Sequence, residues 1–260
     1  MFKKYLFLLV AMLPCLLPLR AQLYIGVHGG VTLPTGFYGD SRMSDYEWII
    51  SNPEHQLRAG AGTGFSVGLD FGIPMPFLND LSALITVDYM QSGPNRDVRN
   101  YYANHYLEEE GVVLPQYRNI PILLGARYSY PLGTFYDLYG EAQMGVNIRQ
   151  ITEFKYPSNS STTFSYQYDN YYSMAFHLGA GIMIRDIVSV GAGVNLMGKG
   201  PLKGTSTVTK TFETPEGTKE ASDSEPFAPE YTTIKPTMVY INLGVHLNPF
   251  KNYTRRVQEQ

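Results

Sequence analysis

The sequence has little that could cross-link the chain or bind nucleic acid. Cys15 is the only cysteine among 260 residues, so the chain cannot form an internal disulfide. The 20 basic residues are outnumbered by 23 acidic ones and form no basic stripe, so nucleic acid is not an expected partner. After residue 20 the chain contains no apolar run of the length that a membrane-spanning helix needs, about 20 residues.

The N-terminus carries the one long apolar run of the chain. A basic segment (1–4) precedes the apolar residues 5–19, and Arg20, Ala21 and Gln22 follow. This order predicts a secretory signal peptide over residues 1–21, cleaved near Ala21. A retained membrane anchor is the alternative, but two prolines interrupt the run, and it is shorter than the roughly 20 residues of a spanning helix.

Eight segments alternate with the period of two that is typical of β-strands. Each is close to, or somewhat longer than, the ~9–11 residues that a tilted strand needs to cross a bilayer. Pro121 is the one proline inside them, and it predicts either a bulge or an edge of local pairing. The segments are roughly 23–32, 60–71, 81–91, 117–130, 137–151, 173–184, 187–196 and 237–247.

One face of these segments is apolar and uncharged, whereas the other is small and polar. In "GAGTGFSVGLDF", Phe65, Val67 and Leu69 alternate with glycine, Ser66 and Asp70. A soluble barrel with an apolar core is the alternative, but its water-facing side would carry lysine, and none of the eight segments contains one. An uncharged face suits hydrocarbon, where a central Arg or Lys costs about 2–4 kcal/mol. The pattern therefore predicts an all-β fold, an eight-stranded antiparallel up-and-down transmembrane β-barrel over residues 22–250.

The connections between the segments alternate between long and short. The long ones are 33–59, 92–116, 152–172 and 197–236, and the short ones are 72–80, 131–136 and 185–186. Outer-membrane barrels have short periplasmic turns and long external loops. The alternation therefore predicts external long loops and a periplasmic C-terminal tail over residues 251–260. The acidic, proline-bearing part of the last loop is predicted to be mobile.

The polar face predicts a charged network in the lumen, and the loops contain many tyrosines. An eight-stranded barrel is just wide enough for its own side chains, so the lumen is expected to be closed. The loop tyrosines either form a contact surface or belong to strands that extend past the bilayer with paired aromatic rings. The expected lumen residues are His28, Asp70, Asp88, Arg127, Glu141, Arg149 and His177, and the candidate contact residues are Tyr101, Tyr102, Tyr106, Tyr166, Tyr168, Tyr171 and Tyr172.

Arg127 and Glu141 are expected to pair across the fourth and fifth segments. The short turn between these segments sets the register of the hairpin, and symmetric pairing about it places the two residues opposite each other on the polar face. Opposite charges in this position would offset the cost of burying each other.

No sequence motif predicts a catalytic site, a cofactor site or a metal site. The histidines show no metal-ligand spacing, and no G-x-S-x-G motif occurs. A His–Ser–Asp set assembled only in space stays open as an alternative, and it would make the chain a lipid-modifying enzyme. The sequence otherwise predicts a protein that is not an enzyme and binds no cofactor.

Five stretches of this chain resemble the outer-membrane β-barrel domain family described as PorT-like, which is widespread in Bacteroidota. They are "AQLYIGVHGGV", "GFSVGLDFGIPM", "QYRNIPILLGARY", "DLYGEAQMGV" and "YINLGVHLNPF". The resemblance implies a barrel similar in size to the small OmpA- and OmpX-type barrels, located in the outer membrane. Some members are associated with type IX secretion, so an accessory role in such a machinery is an alternative to a structural or surface-interaction role.

The expected partners follow from this location. They are outer-membrane lipid, the barrel assembly machinery, and an extracellular or secretion-system protein.

Overall fold

The computed structural model describes residues 24–40, 59–75, 78, 80–106, 112–159, 161–215, 217–227 and 233–247. The predicted signal peptide (1–21) and the C-terminal tail (251–260) lie outside the described residues. No α-helix in these ranges is long and apolar enough to cross a membrane.

Eight long antiparallel strands close into a barrel. When the loop strands are left out of the count, each barrel strand pairs with the next one along the chain. The first barrel strand pairs with the last, which closes the ring. The predicted eight-stranded antiparallel up-and-down barrel is confirmed. The barrel strands are β1 (Tyr24–Pro34), β2 (Ala61–Pro74), β3 (Leu81–Pro94), β4 (Tyr117–Pro131), β5 (Tyr136–Ile151), β8 (Tyr171–Ile184), β9 (Val188–Met197) and β14 (Thr237–Leu247).

The alternation of the sequence separates the two faces of the barrel wall. Large apolar side chains point outward, and Leu124 and Leu178 at mid-strand are 60% and 59% exposed. Polar residues of the same strands are buried in the lumen, among them Asp70 and Asn147. Because side chains of a strand alternate between faces, one continuous apolar surface surrounds one polar interior.

Pro121 interrupts one ladder without a bulge. Strand β4 pairs with β3 at Val87–Ile122 and Met90–Asn119, and both pairs have the same register. The predicted bulge is therefore wrong, and the alternative of an edge of local pairing fits the side of Pro121 that faces β3. Proline lacks the N–H that a ladder bond needs, so pairing stops at this residue and resumes beyond it.

The long loops build further strands outside the barrel. The hairpin of β5 and β8 continues as β6 (Phe154–Asn159) and β7 (Thr162–Tyr168) in the same register. Strand β7 then pairs with β11 (Gly204–Thr214) in the register that β8 keeps with β9. With β12 (Gly217–Phe227), these strands form a four-stranded sheet in the order β12-β11-β7-β6. Two short strands, β10 (Gly200–Pro201) and β13 (Thr233–Ile234), pair separately.

The acidic tract of the last loop is a strand rather than a mobile coil. It forms β12, which pairs with β11 along its whole length. The prediction of a mobile tract is wrong for these residues, because the alternating threonines, Val208 and Phe212 of β11 favour an extended backbone. Gly217, with a φ of 117°, provides the left-handed turn residue that closes the hairpin.

Helical segments also occur in the loops. A 3-10 helix (Gly36–Tyr38) follows β1, and α1 (Arg96–Tyr106) follows β3. Asn95 caps α1 because its side-chain oxygen accepts a hydrogen bond from the Val98 N–H at 3.0 Å.

Buried apolar residues cluster toward the end of the barrel that bears the long loops. Tyr38 from the 3-10 helix contacts Tyr117 edge to face, and its hydroxyl accepts a hydrogen bond from Asn119 Nδ2 at 3.1 Å. Burial raises the pKa of the Tyr38 phenol above its usual value. Leu202 and Ile234 from the last loop belong to the same cluster. The loops thus close this end of the lumen.

Candidate functional site

On one side of the lumen, a histidine lies between two carboxylates. His28 Nε2 lies 2.6 Å from Asp88 Oδ1, and its Nδ1 lies 3.3 Å from Asp70 Oδ2. The neighbouring strands β1, β2 and β3 supply the three residues, and all are nearly inaccessible to solvent. Gly68 leaves space for this contact, because a Cβ atom there would collide with Asp88 and His28.

Arg127 connects this group to the opposite wall. Its Nη2 lies 2.7 Å from Glu141 Oε2 and 3.4 Å from Asp70 Oδ2. Arg127 stands opposite Glu141 in the ladder of β4 and β5, so the pairing predicted from the short turn between these strands is confirmed. The guanidinium also lies 4.7 Å from the ring centre of Tyr139 and 3.4 Å from the Tyr24 hydroxyl. Ring faces and carboxylates thus surround the buried cation.

Glu141 continues the network toward β8. Its Oε1 accepts a hydrogen bond from His177 Nε2 at 2.9 Å, while His177 Nδ1 lies 2.9 Å from Asn195 Oδ1. The Tyr240 hydroxyl lies 3.0 Å from the same Nε2 atom. Six of the seven predicted lumen residues therefore belong to one continuous set of contacts across the barrel.

The charged side chains pack closely together in the lumen. A cavity of about 10 Å³ remains among these side chains, lined by residues such as His28, Asp88, Gln143 and Tyr240. That volume is close to the minimum for one water molecule. Gln143, whose Oε1 is buried without a hydrogen-bond partner among the described residues, is one of the residues that line this space. Three carboxylates, one guanidinium and two imidazoles thus offset one another's burial.

Arg149 does not belong to this network. It lies nearer the loops, where Nη1 donates to the Ile234 carbonyl at 3.1 Å and Nη2 to the Pro201 carbonyl at 2.9 Å. Its guanidinium lies 5.1 Å from the Tyr171 ring centre. Arg149 therefore holds the last loop over the lumen. It does not pair with the carboxylates of the charged network.

Two features of the lumen were not predicted. Tyr139 shares the polar face of Glu141 and could have been found from its odd position in the same strand. Ser189 Oγ lies 2.8 Å from His246 Nε2, a contact between distant segments that no sequence spacing indicates. His246 Nδ1 is buried without a hydrogen-bond partner, so no carboxylate orients this imidazole as a nucleophilic triad requires.

The candidate contact tyrosines are distributed over several environments. Tyr101 and Tyr102 lie on α1, where Tyr102 packs edge to face on Phe154, and Tyr106 ends that helix. Tyr166 stacks on the rings of β6, Tyr168 packs against the buried cluster, and Tyr171 lies beside Arg149. Tyr172 is 63% exposed on the outer wall. The alternative of extended strands with paired rings describes Tyr166, whereas three of the seven tyrosines lie on α1. A contact surface stays a prediction.

The described residues contain no cluster of three or more His, Cys, Asp or Glu side chains arranged to hold a metal ion.

Comparison with known proteins gives similarity at the level of structure alone. No family model and no curated protein matches the sequence. Similar solved structures include Neisserial surface protein A, at 12% identity and a TM-score of 0.42, covering 87% of this chain and 97% of that one. The outer membrane protein OprG from Pseudomonas aeruginosa has 15% identity and a TM-score of 0.40, covering 88% and 97%. A major outer membrane protein from Thermus thermophilus has 12% identity and a TM-score of 0.42, covering 86% and 99%.

Proposed function

We propose that this chain is a small non-enzymatic outer-membrane β-barrel with a structural or surface-interaction role and a closed lumen. The observation that carries the proposal is the reversed polarity of the barrel, with an apolar outer wall around a buried charged interior. Such a wall is stable in hydrocarbon, where every backbone polar group must pair internally, as it does in a closed ring of strands. Outer-membrane lipid is then the partner of the wall.

Aromatic side chains support this placement. Tyr128, Tyr130, Phe135 and Tyr136 are exposed around the short-turn end of the barrel. Amphipathic rings prefer the boundary between hydrocarbon and water, and outer-membrane barrels carry such girdles. The short turns then face the periplasm and the long loops lie outside. Membership in the PorT-like family is part of the proposal, supported by the five sequence stretches given above.

Cell fractionation tests this location. We expect the protein to fractionate with the outer membrane and to migrate faster in an unheated gel sample than in a boiled one, because a closed barrel resists detergent until heated. The measurement is immunoblotting of membrane and soluble fractions with and without boiling. Recovery in the soluble periplasm after lysis without detergent would contradict the proposal.

A further inference from the structure

Strand β12 is an exposed edge of the sheet that the long loops build. It pairs with β11, and no other strand in the described ranges pairs with its second edge. Residues 217–226 are all exposed to solvent. An edge of this kind offers backbone N–H and C=O groups that an added strand can pair with.

The charges on β12 select what can pair with it. Asp223 and Glu225 share one face, and the residues opposite them on β11 are the uncharged Val208 and Ser206. Glu220 adds a third carboxylate on the other face, and Lys219, the single lysine of the strand, lies on the face of Asp223 and Glu225. No positive side chain of β11 therefore stands opposite these three carboxylates, and a strand on the open side could supply one.

A second copy of the chain is a poor partner for this edge. Each β12 strand carries three carboxylates and one lysine, so pairing two copies would bring together two strands of formal charge −2, and like charges repel each other. Pro226 has no N–H to donate, so it ends the open ladder at this end of β12 for any added strand. An edge that rejects copies of itself remains open to a strand of opposite charge.

We propose that the β12 edge binds an extended, basic segment of another protein by strand addition. The partner would pair its backbone with β12 and place Lys or Arg side chains near Asp223 and Glu225. The inference rests on the proposed function, because only an external loop sheet would meet such a partner outside the cell.

Binding of a defined peptide to the full-length protein in lipid nanodiscs tests this inference. The probe is a fluorescent peptide of alternating lysine and threonine with the 11-residue length of β12, measured by fluorescence anisotropy. We expect Glu225→Lys to weaken binding about tenfold, because it turns an attractive cross-strand pair into a repulsive one. Glu213→Lys, the same charge reversal on β11, is the matched control and should change the affinity by less than about twofold.

Two further probes separate strand addition from simple charge attraction. Two peptides, N-methylated at the odd or at the even residues, keep their charge but cannot donate the backbone hydrogen bonds of a β-ladder from those residues. We expect neither of them to bind. Equal binding of the N-methylated peptides, or of an alternating glutamate and threonine peptide, would overturn the inference. If the protein is a heat-modifiable barrel in the membrane but binds no peptide, strand addition is refuted and the proposed function is not. If the protein is neither heat-modifiable nor located in the membrane, the proposed function is refuted.

Discussion

Replacing Arg127 with methionine is expected to lower the free energy of unfolding by about 3–5 kcal/mol, the cost of removing one partner of a buried ion pair. Methionine keeps much of the length of the side chain but leaves Glu141 and Asp70 without their shared cation. The measurement is urea unfolding of the protein refolded in lipid bilayers, followed by heat-modifiable gel mobility. Arg99→Met on the exposed face of α1 is the matched control and should leave the stability unchanged within about 0.5 kcal/mol.

Exchanging the two charges should recover part of this loss. In the double variant Arg127→Glu, Glu141→Arg, the pair across β4 and β5 forms again in reverse. Recovery stays incomplete because the new carboxylate at position 127 lies near Asp70, and the contact of the guanidinium with the Tyr139 ring is lost. A double variant no more stable than the less stable single variant would show that the pair itself contributes nothing.

Arginine in place of Leu178 is expected to lower the free energy of unfolding by about 2–4 kcal/mol in a bilayer. Leu178 lies at mid-strand on the outer wall, where a membrane-spanning barrel meets hydrocarbon. Tyr172→Arg, on the same strand and face but near the loop end, is the depth control and should cost about 0–1 kcal/mol. Urea unfolding in bilayers of one lipid composition compares the two variants.

A soluble barrel gives the opposite result for these variants. Both side chains are more than half exposed, so an arginine in water at either position would meet no penalty. Equal and small effects of Leu178→Arg and Tyr172→Arg would therefore exclude hydrocarbon around the barrel wall.

The barrel could be predicted from the sequence because the patterns that specify it involve residues close together in the chain. Alternation fixes which side chains share a face, and the short turn between β4 and β5 fixes their register, so the opposition of Arg127 and Glu141 follows from two local features. A slip of one residue in one of the two strands would have turned the apolar side chains of that strand into the lumen. The strong contrast between the faces thus excludes registers shifted by one residue, and the short turn limits larger shifts.

The loop structure could not be predicted in the same way. Strands β11 and β12 consist mainly of threonine, serine and charged residues, so their two faces differ little in polarity and no alternation of apolar with polar residues indicates a strand. The role of Arg149 was missed for a related reason. Its acceptors are backbone carbonyls of Pro201 and Ile234, and side-chain patterns carry no information about which carbonyls a long loop brings near.

Ion conductance tests most directly whether the barrel is closed by its own side chains. The measurement is the current across planar bilayers formed from proteoliposomes in which the amount of folded protein has been verified by heat-modifiable mobility. We expect no channels above the background of protein-free bilayers, because the charged network leaves a cavity of about 10 Å³ in the lumen and the loops cover one end. Stable, reproducible channels of porin size would contradict a filled eight-stranded barrel.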